Sequence, residues 1–237
     1  MTALEALLVV QDHDTAIEQL RHRHRVMPER AALQDVEARQ RSLAAQRAEV
    51  AQRRDEVAGR QAGLEATIAT SEARIAEIDA RMYSGQVTAS RDLQAMAGEI
   101  ESIKQRVSTL EDAALEAMDE REPLDEEVEA LDSRARDLAA EAERLRAAIA
   151  VNEEALGREL AQEQEARAEA AGSVPPELLT SYEKLRARLG GVGAARLEHG
   201  TCMGCRLRLP ASELDRLKRE PPDALVFCDQ CGRILVR

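Results

Sequence analysis

Two long runs with a seven-residue period, separated by one short polar stretch from Arg81 to Ser90, leave this chain very few ways to fold. Before the break, Val36, Leu43, Val50, Val57, Leu64 and Ile78 recur every seven residues or a multiple, interleaved by Leu33, Ile68, Ile75 and Met82. After it, Met96, Ile103, Leu110, Leu124, Leu131, Leu138 and Leu145 repeat, interleaved by Ile100, Val107, Val128, Ile149 and Leu156. Helices of 3.6 residues per turn keep a strict seven-residue stripe in contact only by winding around each other, so the pattern specifies a left-handed coiled coil. Ser84 and Gly85 suit a reversal. The two arms are therefore predicted to fold back antiparallel, with a tip near residues 83–90.

Composition closes off the alternatives. One residue in three is charged, and Tyr83, Tyr182 and Phe227 are the only aromatic residues, so no large core packed around rings is available. The predicted fold is mostly α: a long antiparallel coiled-coil hairpin over residues 1–172, a short helix with a Gly-rich joint over 173–195, and a small C-terminal segment over 196–237. A net charge of −12 argues against a surface that attracts polyanions everywhere. No apolar run approaches the ~18 residues of a membrane span, and Met1-Thr2-Ala3-Leu4-Glu5 lacks the basic start of a secretory leader. These features predict a cytoplasmic chain with no membrane association.

Within the hairpin, Leu4, Leu7, Leu8, Val10, Ile17 and Leu20 form an amphipathic opening helix that Pro28 should interrupt. Pairing residues symmetrically about the tip sets the polar seam residues Gln40, Arg47, Arg54 and Gln61 opposite the region of Ala114, Arg121 and Pro123, which predicts the loosest packing at mid-arm. Arg47 and Arg54 would face the acidic block Glu120, Glu122, Asp125, Glu126, Glu127 and Glu129, where ion pairs would serve register more than stability. Gly172-Ser173-Val174-Pro175-Pro176 then ends the arm and starts a helix whose Leu178, Leu179, Tyr182, Leu185 and Leu189 share a face that docks on the hairpin base. Gly190-Gly191-Val192-Gly193 reads as a flexible joint.

All four cysteines lie beyond it. Cys202 and Cys205, then Cys228 and Cys231, form two pairs with two-residue spacers, so each turn can present both thiolates to one ion. Gly204 and Gly232 stand where such turns need positive φ or close backbone approach. Two disulfides are disfavoured in a cytosolic chain, and a redox pair lacks its usual strand-helix-strand setting. The reading is one structural Zn²⁺, with four sulfur ligands leaving no open position for catalysis. Short strands are expected at Ala195–Leu197, Leu207–Leu209, Ala224–Phe227 and Ile234–Val236, with a helix over Ser212–Arg219. So few apolar residues cannot hold this segment together without the ion.

With these residues assembled, the chain resembles the bacterial family of coiled-coil proteins ending in a C4-type zinc ribbon, which includes a flagellar-regulation branch. The resemblance rests on Tyr83-Ser84-Gly85 with Leu93-Gln94-Ala95-Met96 and Glu99-Ile100 at the tip, on Pro175-Pro176-Glu177-Leu178-Leu179 with Tyr182, and on the cysteine pairs with Gly232-Arg233-Ile234-Leu235. It implies a helical hairpin with a zinc ribbon at its base and the four cysteines as zinc ligands. For some members it implies a sigma factor of the enhancer-dependent type and flagellar messenger RNA as partners. Val236 stands where the family often has an aromatic residue.

The functional expectation is a non-enzymatic adaptor that binds a protein partner, with a transcription-associated protein as the first candidate and RNA as the second, in control of gene expression. The alternative is a structural spacer or self-associating scaffold. From Arg196 onward 8 Lys/Arg stand against 6 Asp/Glu, so this end is basic within an acidic chain. Arg206 and Arg208, alternating along an expected strand, and nearby Arg233 are the candidate contact residues there, and Tyr83 is the candidate at the tip. Arginines without stacking aromatics favour protein over RNA. No catalytic constellation or small-molecule site is expected: His22 and His24 point to different helix faces, His13 stands alone among acids, and His199 is a bystander beside four thiolates.

Overall fold

A computed structural model describes residues 2–221 and 224–237, arranged as two compact units, Ala32–Arg144 and Met1–Ala31 with Leu145–Arg237. The first unit is the hairpin proper. It holds most of α2 (Pro28–Tyr83) and the first part of α3 (Ser90–Gly172). The heptad residues do what their spacing demands: Val36, Val50, Val57 and Ile78 of α2 are buried, as are Val107, Leu124, Val128, Leu131 and Leu138 of α3. At the tip Gly85 turns the chain at φ +76°, Ser84 Oγ donates to the Arg81 carbonyl at 2.8 Å, and Tyr83 is 82% exposed.

Two expectations for this arm are corrected. Its middle is not loose, because Val50, Val57, Ala117, Leu124, Val128 and Leu131 form one buried cluster there. The polar seam residue Gln61 is accommodated by a partner on the facing helix. Gln61 accepts from Arg121 Nη1 at 2.8 Å, and Pro123 sits exposed inside an unbroken α3. The register also differs from symmetry about the tip. Arg54 meets Asp125 at 3.2 Å, but Arg47 meets Asp132 at 2.7 Å, beyond the predicted acidic block. These pairs step seven residues down α2 and seven up α3, as an antiparallel heptad seam requires.

The second unit gathers the opening helix, the far ends of the arms and the ribbon. Helix α1 (Ala3–Arg25) begins with a capping box between Thr2 and Glu5 and stops just before Pro28, where the break was expected. Its Leu4, Leu7 and Val10 pack with Tyr182 of α4 (Pro176–Arg188) and with Val174, Ile234 and Val236. The expected docking of α4 through Leu178, Leu179, Tyr182 and Leu185 is found.

Strands β1 (Ala194–Glu198), β2 (Thr201–Cys202), β3 (Val226–Phe227) and β4 (Ile234–Val236) form one sheet in the order β2-β1-β4-β3, and β1 and β4 run parallel. Central β4 is buried throughout: Ile234 and Val236 face α1, while Leu235 faces the cysteines. Helix α5 (Ala211–Arg219) covers the cysteine side through Leu217. Residues 207–209 are not a strand but make a single bridge between Arg208 and Thr201, and the segment expected to begin at Ala224 is extended only at Val226–Phe227. The joint is not slack. Gly190 and Gly191 take φ +72° and +97°, and Gly193 is buried so tightly that a Cβ would lie 2.9 Å from the Tyr182 ring and carbonyl.

Candidate metal centre

The two cysteine pairs are built on turns of the same design. In the first, the Arg206 amide donates to the Cys202 carbonyl at 2.7 Å and the Cys202 amide to the Leu207 carbonyl at 3.0 Å. In the second, the Gly232 amide donates to the Cys228 carbonyl at 2.7 Å and the Cys228 amide to the Arg233 carbonyl at 2.9 Å. Each needs a left-handed residue directly after its second cysteine, supplied by Arg206 at φ +59° and Gly232 at φ +73°. Gly204 serves close approach instead, since a Cβ there would lie 2.5 Å from Arg233 Cδ.

These turns bring all four Sγ atoms within 4.8 Å of one another, with Cys202 to Cys231 at 3.9 Å and Cys205 to Cys228 at 4.0 Å. A tetrahedron with zinc–sulfur bonds of ~2.3 Å has edges of about 3.8 Å, so the spacing fits one zinc ion and is far too long for disulfides. Without an ion, burial keeps thiols here protonated, because a bare thiolate is costly away from water. Burial pushes the Cys202 thiol up and the Cys228 thiol up to about 12. Cys231 also feels burial, but hydrogen bonds from the Arg233 amide and side chain, and from neighbouring cysteines, bring it down to about 7. A divalent cation replaces the missing protons, and turn amides offset the excess thiolate charge. With four sulfurs engaged the centre is structural: one Zn²⁺ held by Cys202, Cys205, Cys228 and Cys231.

The candidate contact residues separate. Arg206 and Arg208 are exposed, but the left-handed turn at Arg206 removes the shared strand face expected of them. Arg233 is turned inward: its Nε donates to the Val192 carbonyl at 3.0 Å and its Nη2 to the Leu189 carbonyl at 3.3 Å. It ties the second cysteine turn to the end of α4 rather than facing solvent. Tyr83 belongs to the other unit.

Sequence reasoning missed the polar groups that fasten the ribbon to α1. Gln11 Oε1 accepts from the Gly193 amide at 2.7 Å and the Ala194 amide at 3.3 Å, while its Nε2 donates to the Gly191 carbonyl at 3.1 Å. Asp14, only 2% exposed, accepts from the Tyr182 hydroxyl at 2.7 Å and pairs with Arg167 and Arg186 at 3.2 and 3.3 Å. Burial, then the adjacent Asp14 carboxylate, drives the Tyr182 phenol far above its ordinary pKa. A signal was present: Gln11 and Asp14 follow Leu7 at helical spacing on the apolar face of α1, where a polar residue needs a partner. His13 is not alone either, since its Nδ1 lies 2.7 Å from Glu163.

Comparison with known proteins matches the two parts separately. Residues 10–190 fit the CT398-like coiled coil hairpin domain and residues 201–235 the C4-type zinc ribbon domain. An uncharacterised protein of Mycobacterium tuberculosis is 30% identical over 98% of this chain and 94% of its own length. A solved structure from Mycobacterium smegmatis shares 27% identity over the full length of both chains, with a TM-score of 0.70. The 20% identical CT398 structure from Chlamydia trachomatis, covering 99% of this chain and 97% of that one, has a TM-score of 0.64 and shares the fold.

Proposed function

Since this chain belongs to the family of CT398-like coiled-coil hairpin proteins carrying a C4-type zinc ribbon, we propose that it is a non-enzymatic adaptor whose ribbon binds a protein partner in the cytoplasm. The observation that supports this is the outer surface of the ribbon. Met203 and Leu207 beside β2, and Leu225 and Phe227 at β3 on the opposite edge of the sheet, are all substantially exposed, with Leu207 at 51% and Phe227 at 42%, although the segment has few apolar residues to spare for its own core. Exposed large apolar residues on a rigid, metal-held frame are what a protein interface uses. Arg206 and Arg208 give this end the charge to orient an acidic partner surface. Among the described residues the four cysteines are the only cluster suited to a metal, and it has no open coordination position, which supports a non-catalytic role. No described helix is long and apolar enough to cross a membrane.

Control of gene expression is the process this reading names, in keeping with the resemblance drawn from the sequence. RNA is the second candidate ligand, through Arg206 and Arg208. The test uses the full-length zinc-loaded protein as bait in its native host, beside Leu207→Ser/Phe227→Ser and Arg206→Ala/Arg208→Ala variants that keep zinc. A protein bound by wild type and lost with the first variant supports the adaptor. RNA lost with the second variant alone, with falling affinity as salt rises, replaces the protein reading by an RNA one. Unchanged capture with both variants overturns the ribbon as the contact surface.

A further inference from the structure

We infer that the protein associates head to tail, the outer face of α3 in one copy docking into a groove between α1 and α3 of a second copy. This goes beyond the adaptor reading and does not depend on the ribbon's partner.

The groove has a volume of about 270 Å³ and an apolar floor of Leu20, Leu156 and Leu160. Gly157 leaves a notch in that floor, since nothing lies within 4 Å of where its Cβ would be. That volume is below the usual small-molecule range of ~300–1,000 Å³, and the lining residues run along two helices, which suits the side chains of a third helix. The rim carries Arg21, His24 and Arg25 of the run Arg21-His22-Arg23-His24-Arg25, the densest basic stretch in a chain of net charge −12, with Arg21 paired to Glu18 at 2.7 Å within α1. Arg25 makes no ion pair among the described residues. Glu153, the one acid on the rim, is already paired with Arg30 at 2.6 Å.

The groove calls for an acidic helix with two or three protruding apolar side chains, and the chain carries one. At about 100° per residue, Leu115, Met118, Asp119, Glu122 and Glu126 share one face of α3, opposite the buried Ala117, Leu124 and Val128. Leu115 is 58% and Met118 44% exposed, though the seam has no use for them. The acids beside the seam are engaged within the hairpin, Asp125 by Arg54 and Asp132 by Arg47, whereas Asp119, Glu122 and Glu126 make no ion pair among the described residues. Leu115 and Met118 fill the notch and floor, and the carboxylates meet Arg25, with Arg21 able to exchange its exposed partner Glu18 for one of them. Self-repulsion of two acidic chains acts over distance, and salt at ~0.15 M screens it beyond about 8 Å while leaving the apolar contact intact. Because the two surfaces differ, every contact leaves one groove and one acidic face unused at the ends of the assembly.

Light scattering or sedimentation of the full zinc-loaded chain across a concentration series at physiological salt tests this. Wild type is expected to gain mass with concentration. Leu115→Ser/Met118→Ser on the face, and Gly157→Glu in the groove, should each weaken association about tenfold or more. Both change exposed sites, and circular dichroism and zinc content check that the fold is kept. A mixture of the two variants should recover mass but stop at dimers, because only one intact face and one intact groove remain. Wild type that stays at one chain's mass at every concentration, or association that neither variant weakens, overturns the proposal.

Discussion

Arg206 holds a left-handed conformation at φ +59° that its counterpart Gly232 adopts at no steric cost. An L-residue with a side chain loses about 1–2 kcal/mol there, more than the ~0.5–1 kcal/mol of extra chain entropy that glycine brings to the unfolded state. Arg206→Gly should therefore stabilise the zinc-loaded ribbon by up to about 1 kcal/mol, seen as a higher thermal midpoint, and Gly232→Ala should lower that midpoint. Tyr182 gives a second residue-scale outcome. Its folded pKa lies above that of the unfolded chain, so its contribution is fully present below the ordinary phenol pKa of ~10 and is lost as pH rises beyond it. In a Tyr83→Phe variant Tyr182 is the only tyrosine left. Its tyrosinate absorbance should then appear together with loss of packing around α1 and α4, not before. Ionisation while the base remains folded would refute the buried Asp14 hydrogen bond.

At the scale of elements, zinc should matter only where its ligands sit. Chelation is expected to unfold the ribbon and uncover the faces of α1 that Ile234 and Val236 protect, while the heptad seam between Ala32 and Arg144 persists. Circular dichroism should keep most of its helix signal while hydrogen exchange at α1 amides accelerates, and collapse of the whole helix signal would contradict this. The same contrast explains what could be read in advance. Seam residues such as Val50 and Leu131 announce themselves by repeating, and the cysteines by their paired spacing. Strands of two or three residues carry little period: Ile234–Val236 stands out as an apolar run, but nothing marks β2, and residues 207–209 alternate like a strand while forming a single bridge. The register of Arg47 on Asp132 depends on how many residues the tip consumes, which composition does not encode. Gln11 and Asp14 show in the sequence as polar residues on an apolar face, but their partners, more than 150 residues away in the chain, do not.

For the molecule as a whole, the two units should fail separately. Leu131→Ala removes a buried side chain from the hairpin cluster and should cost it about 2–5 kcal/mol. Melting followed by helix signal should shift, while zinc stoichiometry stays at one per chain; loss of zinc in this variant would show that the units are not independent. The central place of β4 has a further consequence, for a chain made from its N-terminus. The apolar face of α1 is synthesised before Ile234 and Val236, which cover it and are added more than two hundred residues later. Until those residues emerge Leu4, Leu7 and Val10 lack that cover, so the nascent chain carries a sticky helix that chaperones and proteases can inspect. A message cut short before residue 234 would yield a protein with an intact hairpin and an unfinished base, marked for removal by the surface it fails to hide.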